Sequence, residues 1–338
     1  MHYRNLGRAG LRVSEICLGT MTFGNGADQE GATKMVNAAL DAGLTFFDTA
    51  NSYVGGTSET MLGVALKGKR QDAIIASKFF NPMGGRPNDS GNSRLHIKQQ
   101  IEGSLKRLQT DYIDVYFIHH VDHSTPLEEV LRALDDLVRD GKIVYTACSN
   151  YEAWRLMEAM WISDTKGWER FACYQPQYSL VVRDIDEEIV PAIELKGLGC
   201  VAWSPLAGGY LTGKYLPGSL KVQGSRSAEG WGFQSKFFAP NHSEILQTLL
   251  DVSKEIGKPP AQVALRWVMD QPFMTSAIVG ARNVEQLGET LKSGGWRLPP
   301  EALEKLNKVS AQPTRYPRAF EDPMPARRAS ALKMPGMA

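Results

Sequence analysis

The sequence predicts an α/β fold, a (β/α)8 barrel with an N-terminal β-hairpin and a long loop after the seventh strand. Three observations predict it. Short apolar runs alternate eight times with helical patterns, which implies parallel pairing and right-handed crossovers. The apolar runs are continuous, as is typical of strands buried on both faces. The first strand–helix turn lacks the Gly-x-Gly-x-x-Gly fingerprint of an open dinucleotide-binding sheet, which favours the barrel over that alternative.

The eight predicted strands are apolar runs of five to eight residues. They cover residues 14–19, 44–48, 73–78, 112–119, 143–150, 171–175, 199–204 and 275–280. The helical patterns between them have apolar residues at helical spacing and start or stop signals such as Pro126 and Gly257. They cover residues 30–42, 58–67, 93–108, 126–139, 151–161, 185–196, 242–256, 260–269 and 283–291.

Three segments fall outside the eight units. Residues 1–14 alternate around a Gly-Arg-Ala-Gly turn, which predicts a hairpin over the bottom of the barrel. Residues 205–241 form a long loop rich in Gly and Ser, and long loops in compact domains tend to be functional. One domain is therefore expected over residues 1–317, followed by a tail of unknown order at 318–338.

Composition narrows the function classes. The chain has 338 residues, 43% of them apolar, and a formal net charge of +1, so nothing indicates nucleic acid as a partner. No apolar run reaches the roughly 18 residues of a membrane span, and the first ten residues lack the apolar core of a secretory signal. Four widely spaced cysteines in strand-like runs are typical of buried free thiols. We expect a cytoplasmic protein that acts on a small molecule, with a homo-oligomer left open.

Polar residues end the predicted strands. In chain order these are Gly19-Thr20, Asp48, Lys78, His119, Ser149-Asn150, Gln175, Ser204 and Gly280-Ala281-Arg282. In a barrel these ends converge on one mouth, where the active sites of this fold are built. A single polar strand end is ordinary, but Asp, Lys and His on three successive strands, with Tyr53 in the intervening loop, indicate a catalytic site.

The chemistry expected of these residues follows from the pairing of Asp48 with Lys78. Asp48 and Lys78, expected at the same depth on neighbouring strands, are suited to pair because burying either charge alone is costly. An ammonium about 4 Å from Tyr53 favours tyrosinate by up to about 4 kcal/mol at an effective dielectric near 20. This predicts that the pKa of Tyr53 is lowered and that Tyr53 acts as a general acid, which accelerates a reaction by roughly 10²–10⁴-fold. His119 is placed to orient a carbonyl oxygen by hydrogen bonding.

Short hydrogen-bonding side chains on the next strands suit a flat amide. Ser149, Asn150 and Gln175 together fit a nicotinamide carboxamide, and Trp203 offers a stacking face. The sequence therefore indicates a site for a flat amide, such as a nicotinamide carboxamide, beside the four candidate catalytic residues.

The sequence resembles the aldo-keto reductase family, most closely the bacterial branch related to potassium-channel beta subunits. The matching stretches are FFDTANSYVGGTSETMLG, IIASKF, DYIDVYFIHHVD, GKIVYTACSNY, YQPQYSL, VAWSPLAGGYLTGKY and IVGARNVEQLGE. They occur in order over residues 1 to about 317. One departure is Tyr174, where the family often has Asn.

The resemblance implies a barrel that binds NADPH in an extended pose and reduces aldehydes or ketones. The family's catalytic residues fall on Asp48, Tyr53, Lys78 and His119. Its cofactor contacts imply the following positions: Gly19, Thr20, Met21, Asp48, Ser149, Asn150, Gln175, Trp203, Ser204, Pro205, Leu206, Gly208, Lys214, Arg226, Gly280, Arg282, Gln286 and Thr290. Of these, Arg282 suits a 2′-phosphate because guanidinium offers charge and a bidentate fork.

Two further motifs in the sequence suggest other chemistry. Residues 208–215 nearly spell a phosphate-binding loop, but Tyr215 stands where Ser or Thr ligates magnesium. The HHVDH run at 119–123 suggests a metal only weakly, because His119 and His120 point to opposite faces of a strand, so no metal is expected.

Two alternative functions remain. One is an NADPH-binding regulatory subunit with little turnover, although weakly active relatives often lack the histidine found at 119. The other is a Schiff-base aldolase using Lys78, which requires a neutral amine that pairing with Asp48 opposes.

Overall fold

The computed structural model describes residues 1–215, 242–322 and 324. Within them, eight parallel strands close into a barrel, preceded by an antiparallel two-stranded hairpin. The hairpin strands are β1 (Tyr3–Asn5) and β2 (Arg12–Ser14). The barrel strands are β3 (Ile16–Gly19), β4 (Phe46–Asp48), β5 (Ile74–Phe79), β6 (Ile113–Ile118), β7 (Ile143–Ser149), β8 (Phe171–Gln175), β9 (Gly199–Ala202) and β10 (Ser276–Gly280). The predicted (β/α)8 barrel is confirmed.

Helices surround the barrel. They are α1 (Gln29–Asp41), α2 (Thr57–Ala65), α3 (Arg94–Leu108), α4 (Leu127–Arg139), α5 (Ala153–Lys166), α6 (Ile189–Lys196), α7 (His242–Ile256), α8 (Pro260–Met269), α9 (Val284–Leu291), α10 (Pro300–Val309) and α11 (Arg318–Glu321). Side chains cap several of them, including Ser93, whose hydroxyl accepts from the backbone N–H of His96. Helix α10 was not predicted, although Pro at its first position is a helix-start signal.

The apolar core has two layers separated by the barrel wall. A small inner cluster fills the barrel and includes Cys17, Phe46, Val115 and Phe117. A larger outer cluster lies between the strands and the helices. Since successive strand residues alternate between faces, the residue two positions after an inner one also points inward. The strand-end polar residues continue the inner face in this way and therefore meet above the inner cluster.

The hairpin closes the bottom of the barrel, as predicted. Leu6 and Val13 belong to the inner cluster. The backbone N–H of Arg8 donates to the carbonyl of Gly197 at 2.8 Å. Gly7 has a φ of +61°, and a Cβ added there would lie 2.3 Å from the backbone nitrogen of Gly199. Only glycine allows so close an approach.

Two further observations concern the class of protein. All four cysteines are buried free thiols, as the sequence predicts. In residues 1–215 and 242–322, no helix is long and apolar enough to cross a membrane. Arg226, most of the long loop at 205–241 and most of the tail at 318–338 lie outside the described residues.

Candidate active site

A cavity of about 800 Å³ opens at the C-terminal ends of the barrel strands. Most of the predicted site residues line it: Gly19, Met21, Asp48, Tyr53, His119, Ser149, Asn150, Gln175, Trp203, Ser204, Pro205, Leu206, Gly208, Lys214, Gly280, Arg282, Gln286 and Thr290. Two others lie beneath its wall. Thr20 is fully buried and shares a hydrogen bond with Ser58, and Lys78 is fully buried under Asp48 and Tyr53.

The expected pair of Asp48 and Lys78 is present. Lys78 Nζ donates to Asp48 Oδ1 at 2.5 Å, and both side chains are almost completely buried. The two residues are not at the same depth, because the register places Asp48 opposite Ala76. Lys78 therefore lies two residues further along its strand, and its long side chain reaches Asp48 across that offset. Strand register of this kind is not encoded in the apolar pattern that predicted the strands.

Lys78 is held as an ammonium at the base of the cavity. Its Nζ also donates to the Thr49 carbonyl at 2.8 Å and contacts Tyr53 Oη at 3.3 Å. Burial by itself lowers the pKa of Lys78, but the Asp48 carboxylate and the Tyr53 hydroxyl outweigh burial, and the net pKa is raised. An ammonium has three donors, so these three oxygens satisfy it completely.

Tyr53 projects from a tight turn above this lysine. The turn spans Tyr53–Gly56, and its glycines Gly55 and Gly56 have φ of +62° and +95°. The turn places Lys78 Nζ 5.0 Å from the centre of the tyrosine ring.

The expected lowering of the Tyr53 pKa is wrong. Burial raises the pKa of the hydroxyl by more than Lys78 lowers it, and Asp48 raises it further. Tyr53 therefore holds its proton throughout the neutral range, with Lys78 adjacent to stabilise the anion once that proton leaves.

His119 lies across the cavity from the tyrosine. Its ring meets the Tyr53 ring edge-on, with centroids 6.1 Å apart. Burial, the nearby Lys78 charge and His120 together lower the pKa of His119 to about 2. The imidazole is therefore neutral at any physiological pH and is suited to donate a hydrogen bond rather than to carry charge.

The expected separation of His119 and His120 is wrong. Their rings stack, with centroids 4.4 Å apart and 14° between planes. Strand β6 ends at Ile118, so the alternation of faces no longer applies to either residue. His123 lies instead beside Arg155. Over the described part of the chain, no group of three His, Cys, Asp or Glu side chains is placed to hold a metal.

The predicted amide-binding side chains hydrogen-bond to Asp48, to the His119 carbonyl and to one another. Gln175 Nε2 donates to Asp48 Oδ2 at 2.8 Å, and Ser149 Oγ donates to the Gln175 carbonyl at 2.7 Å. Asn150 Nδ2 donates to the His119 carbonyl at 3.0 Å, while its Oδ1 accepts from Trp203 Nε1 at 3.3 Å. Hydrogen bonds within the site therefore fix the orientation of these side chains. Tyr174, the departure from the family pattern, bonds the Tyr151 carbonyl on the outer side of the wall.

The turn after β9 approaches the cavity with its backbone. Ser204, Ala207, Gly208 and Gly209 all have positive φ, between +49° and +98°. The backbone N–H groups of Ala207, Gly208 and Gly209 donate within the turn, to the Ser204 carbonyl, Ser204 Oγ and the Leu206 carbonyl respectively. The Lys214 ammonium lies against this turn, 3.3 Å from where a Cβ on Gly209 would be. Lys214 therefore adds positive charge to the same wall.

The far end of the cavity is formed by the start of α9. Asn283 caps this helix by accepting from the Gln286 backbone N–H at 2.9 Å, and Gln286 Oε1 accepts from the Arg282 backbone N–H at 3.0 Å. The Arg282 side chain extends over Gly26. Glu285 and Glu289 line the same end. Positive and negative side chains are thus mixed there, which the sequence reading did not anticipate.

Sequence reasoning missed several cavity residues. They are Thr22, His120, Gly209, Thr212, Ala261, Ile278, Val279, Glu285 and Glu289. For Glu285 and Glu289, a signal was present: they lie one residue before Gln286 and Thr290, on the same first turns of a helix already assigned to the site. Ile278 and Val279 lie on β10 and Ala261 lies on α8, so these three enter the cavity through the packing of those elements. The remaining ones enter it through the way the loops fold over the mouth, which no local pattern specifies.

Comparison with known proteins agrees with this geometry. The family model described as "Aldo/keto reductase family" matches residues 15–311. The chain is 40% identical over 325 residues to an uncharacterized oxidoreductase, YrpG, of Bacillus subtilis (strain 168), covering 93% of this chain and 97% of that protein. It is 35% identical over 318 residues to a probable voltage-gated potassium channel subunit beta of Oryza sativa subsp. japonica, covering 91% and 96%.

A third relative is the norsolorinic acid reductase of Aspergillus flavus (strain ATCC 200026 / FGSC A1120 / IAM 13836 / NRRL 3357 / JCM 12722 / SRRC 167). It is 29% identical over 330 residues, covering 92% of this chain and 81% of that protein. The family match spans most of the chain and includes every barrel strand. This protein therefore belongs to the aldo/keto reductase family.

Proposed function

We propose that this protein is an NADPH-dependent reductase that converts aldehydes or ketones to alcohols. The observation that carries the proposal is the contact of Lys78 Nζ with Tyr53 Oη above the buried Asp48 carboxylate, facing a neutral His119 across one cavity. No group among these four is suited to attack a carbonyl carbon as a nucleophile. Together they supply a proton and orient an oxygen, which is what carbonyl reduction asks of a protein.

The residues at the cavity floor fit a nicotinamide. Gln175 commits its amide nitrogen to Asp48 and so presents its amide oxygen to the cavity as an acceptor. The Ser149 hydroxyl has acceptor capacity left after donating to Gln175. These groups suit the carboxamide NH₂, and the Trp203 indole, fixed by Asn150, offers a face for the ring. When bound, a reduced nicotinamide supplies the hydride, which carries both electrons to the carbonyl carbon.

The protein's own part is the proton. As the carbonyl carbon gains hydride, its oxygen becomes an alkoxide that takes the proton from Tyr53 Oη. The new O–H bond completes the alcohol, and the tyrosinate left behind lies beside the Lys78 ammonium at 3.3 Å. His119 donates a hydrogen bond to the same oxygen and stabilises its developing charge. Asp48 keeps Lys78 charged and in place throughout.

NADPH rather than NADH is proposed from the charges along the cavity. The Lys214 ammonium, which lies against the turn at residues 204–209 and lines the cavity, suits a pyrophosphate. Arg282 lies beyond them at the start of α9, where a guanidinium suits a 2′-phosphate. Glu285 and Glu289 at that end oppose phosphate binding, so Arg282 is required to offset them. We expect the preference for NADPH to depend on this arginine.

A regulatory role is the second candidate, because three relatives carry the name of potassium-channel beta subunits. The complete group of Asp48, Tyr53, Lys78 and His119 favours turnover instead. A Schiff-base aldolase is disfavoured. Lys78 is protonated, fully buried and absent from the cavity wall, whereas a Schiff base requires a neutral, accessible amine.

The test is loss of nicotinamide absorbance with a reactive aromatic aldehyde, run with NADPH and NADH in parallel. Turnover with NADPH preferred supports the reductase and its cofactor together. Binding of NADPH, seen as quenching of tryptophan fluorescence, without turnover on any carbonyl would contradict the reductase and support the regulatory role.

A further inference from the structure

The loop after β5 carries a side chain that the mechanism above does not use. Phe80 follows that strand with a φ of +137°, a conformation that residues with a side chain rarely adopt. The Phe80 carbonyl accepts from the Gly91 N–H at 2.8 Å, which holds the bend. The bend brings the next residue, Asn81, back over the barrel mouth toward Ser52 and His119.

Asn81 contacts both neighbours through one atom. Its Nδ2 lies 3.1 Å from Ser52 Oγ and 3.3 Å from His119 Nδ1. An amide nitrogen carries two hydrogens and no acceptor capacity, so it donates to both. His119 Nδ1 must then be an unprotonated acceptor.

The state of the other ring nitrogen follows. A neutral imidazole has one donor and one acceptor nitrogen, and burial beside Lys78 and His120 keeps His119 neutral. The proton therefore resides on Nε2. Within the described residues Nε2 has no hydrogen-bond partner, and the ring lines the cavity, with its plane fixed by the stacked His120.

We propose that Asn81 is a positioning residue that locks His119 in the Nε2–H tautomer. The histidine is thereby a hydrogen-bond donor to the oxygen of the substrate and never an acceptor from it. This rests on the proposed function only for the identity of that oxygen, because the tautomer itself is a property of the free protein. It also restricts the ligands of this subsite to groups that accept, such as a carbonyl oxygen or an alkoxide.

The tautomer is measured directly by nitrogen-15 NMR of the histidine rings in the full-length protein, with the His119 signals assigned from a His119→Asn variant. In the native protein we expect a protonated Nε2 and an unprotonated Nδ1. A native protein with the proton on Nδ1 would overturn the proposal without recourse to any variant, because Asn81 would then present its oxygen.

Two variants extend the test. Asn81→Asp is nearly isosteric but only accepts, so the His119 proton moves from Nε2 to Nδ1. Asn81→Ala removes the donor without adding charge and gives a mixture of tautomers. Asn88→Asp is the matched control, since it makes the same change in the same loop on an exposed side chain with no described hydrogen bond. An unchanged tautomer in Asn81→Asp would contradict the proposal.

Activity separates this inference from the proposed function. Loss of one donor to a developing oxyanion lowers kcat by roughly 10²-fold or more, so Asn81→Asp is expected to lose about 10²-fold in kcat with an unchanged Kd for NADPH. A native protein that reduces no carbonyl but shows the Nε2–H tautomer would refute the reductase and leave the role of Asn81 standing. An active native enzyme with the Nδ1–H tautomer would refute Asn81 alone.

Discussion

Replacing Asp48 by Asn tests the buried pair on which the site depends. The change keeps the size of the side chain and removes the charge opposite Lys78. The side chains of Lys78 and Asp48 are only 1% and 3% exposed, so solvent does not replace the lost partner. Breaking a buried pair by removing one member costs about 3–5 kcal/mol, because the other charge is left uncompensated.

The expected loss is visible in thermal unfolding. At about 2–4 °C per kcal/mol for chains of 150–250 residues, and less for a longer one, Tm falls by roughly 5–15 °C at pH 7. The deficit also depends on pH. Without Asp48, burial drives the folded-state pKa of Lys78 below its unfolded value of about 10.4. The loss of stability in the variant is then full below the folded-state pKa of Lys78 and shrinks as pH rises toward the unfolded-state pKa. The difference in Tm between the variant and the native protein therefore narrows between about pH 7 and pH 10.

The assay is circular dichroism melting of the native protein and two variants across that pH range. Asp41→Asn is the control, because Asp41 is exposed at the end of α1 and makes no ion pair within the described residues. A change within about 0.5 kcal/mol is expected there. Equal losses in Asp48→Asn and Asp41→Asn, or a gap that stays constant with pH, would refute the account of the pair.

Three further outcomes are expected. Tyr53→Phe lowers kcat roughly 10²–10⁴-fold with little change in the Kd for NADPH, and full activity in that variant would rule out Tyr53 as the proton donor. Because the pKa of His119 is lowered to about 2 and that of Tyr53 is raised above its ordinary value, kcat for reduction stays level from about pH 6 to about pH 9 and falls only at alkaline pH. A break near pH 6.5 would contradict a neutral His119. Arg282→Ala lowers the ratio of NADPH to NADH affinity by roughly 10- to 100-fold, the equivalent of one hydrogen bond to a charged group; an unchanged ratio would place the phosphate contact elsewhere, at Lys214 or Arg226.

The strands, most helices and most of the site were predictable from the sequence, for a physical reason. Apolar runs that end in polar residues mark where buried strands reach the mouth of a barrel. Asp48, His119 and Gln175 could therefore be placed together without knowing how far the strands slide past one another. The depth of Lys78 in the barrel could not be predicted, since the register between strands depends on how the barrel closes rather than on any single strand.

What the sequence did not predict at Tyr53, His119 and Asn81 depends on the surroundings of each side chain. The Tyr53 pKa was predicted from the Lys78 charge alone, whereas the larger effect is the burial of the hydroxyl by the whole mouth of the barrel. The alternation of strand faces does not separate His119 from His120, because β6 ends at Ile118, one residue before the predicted end at 119. The role of Asn81 depends on a strained backbone at Phe80 that no composition signals.

The most direct test of the central claim is to follow deuterium from NADPH labelled at nicotinamide C4 into the alcohol product, comparing native protein with Tyr53→Phe. The account predicts one deuterium on the former carbonyl carbon in the native reaction, and the same labelled product formed roughly 10²–10⁴ times more slowly by the variant. An alcohol that carries no deuterium on that carbon, whichever face of nicotinamide C4 bears the label, would contradict the account. A variant as fast as the native protein would also contradict it.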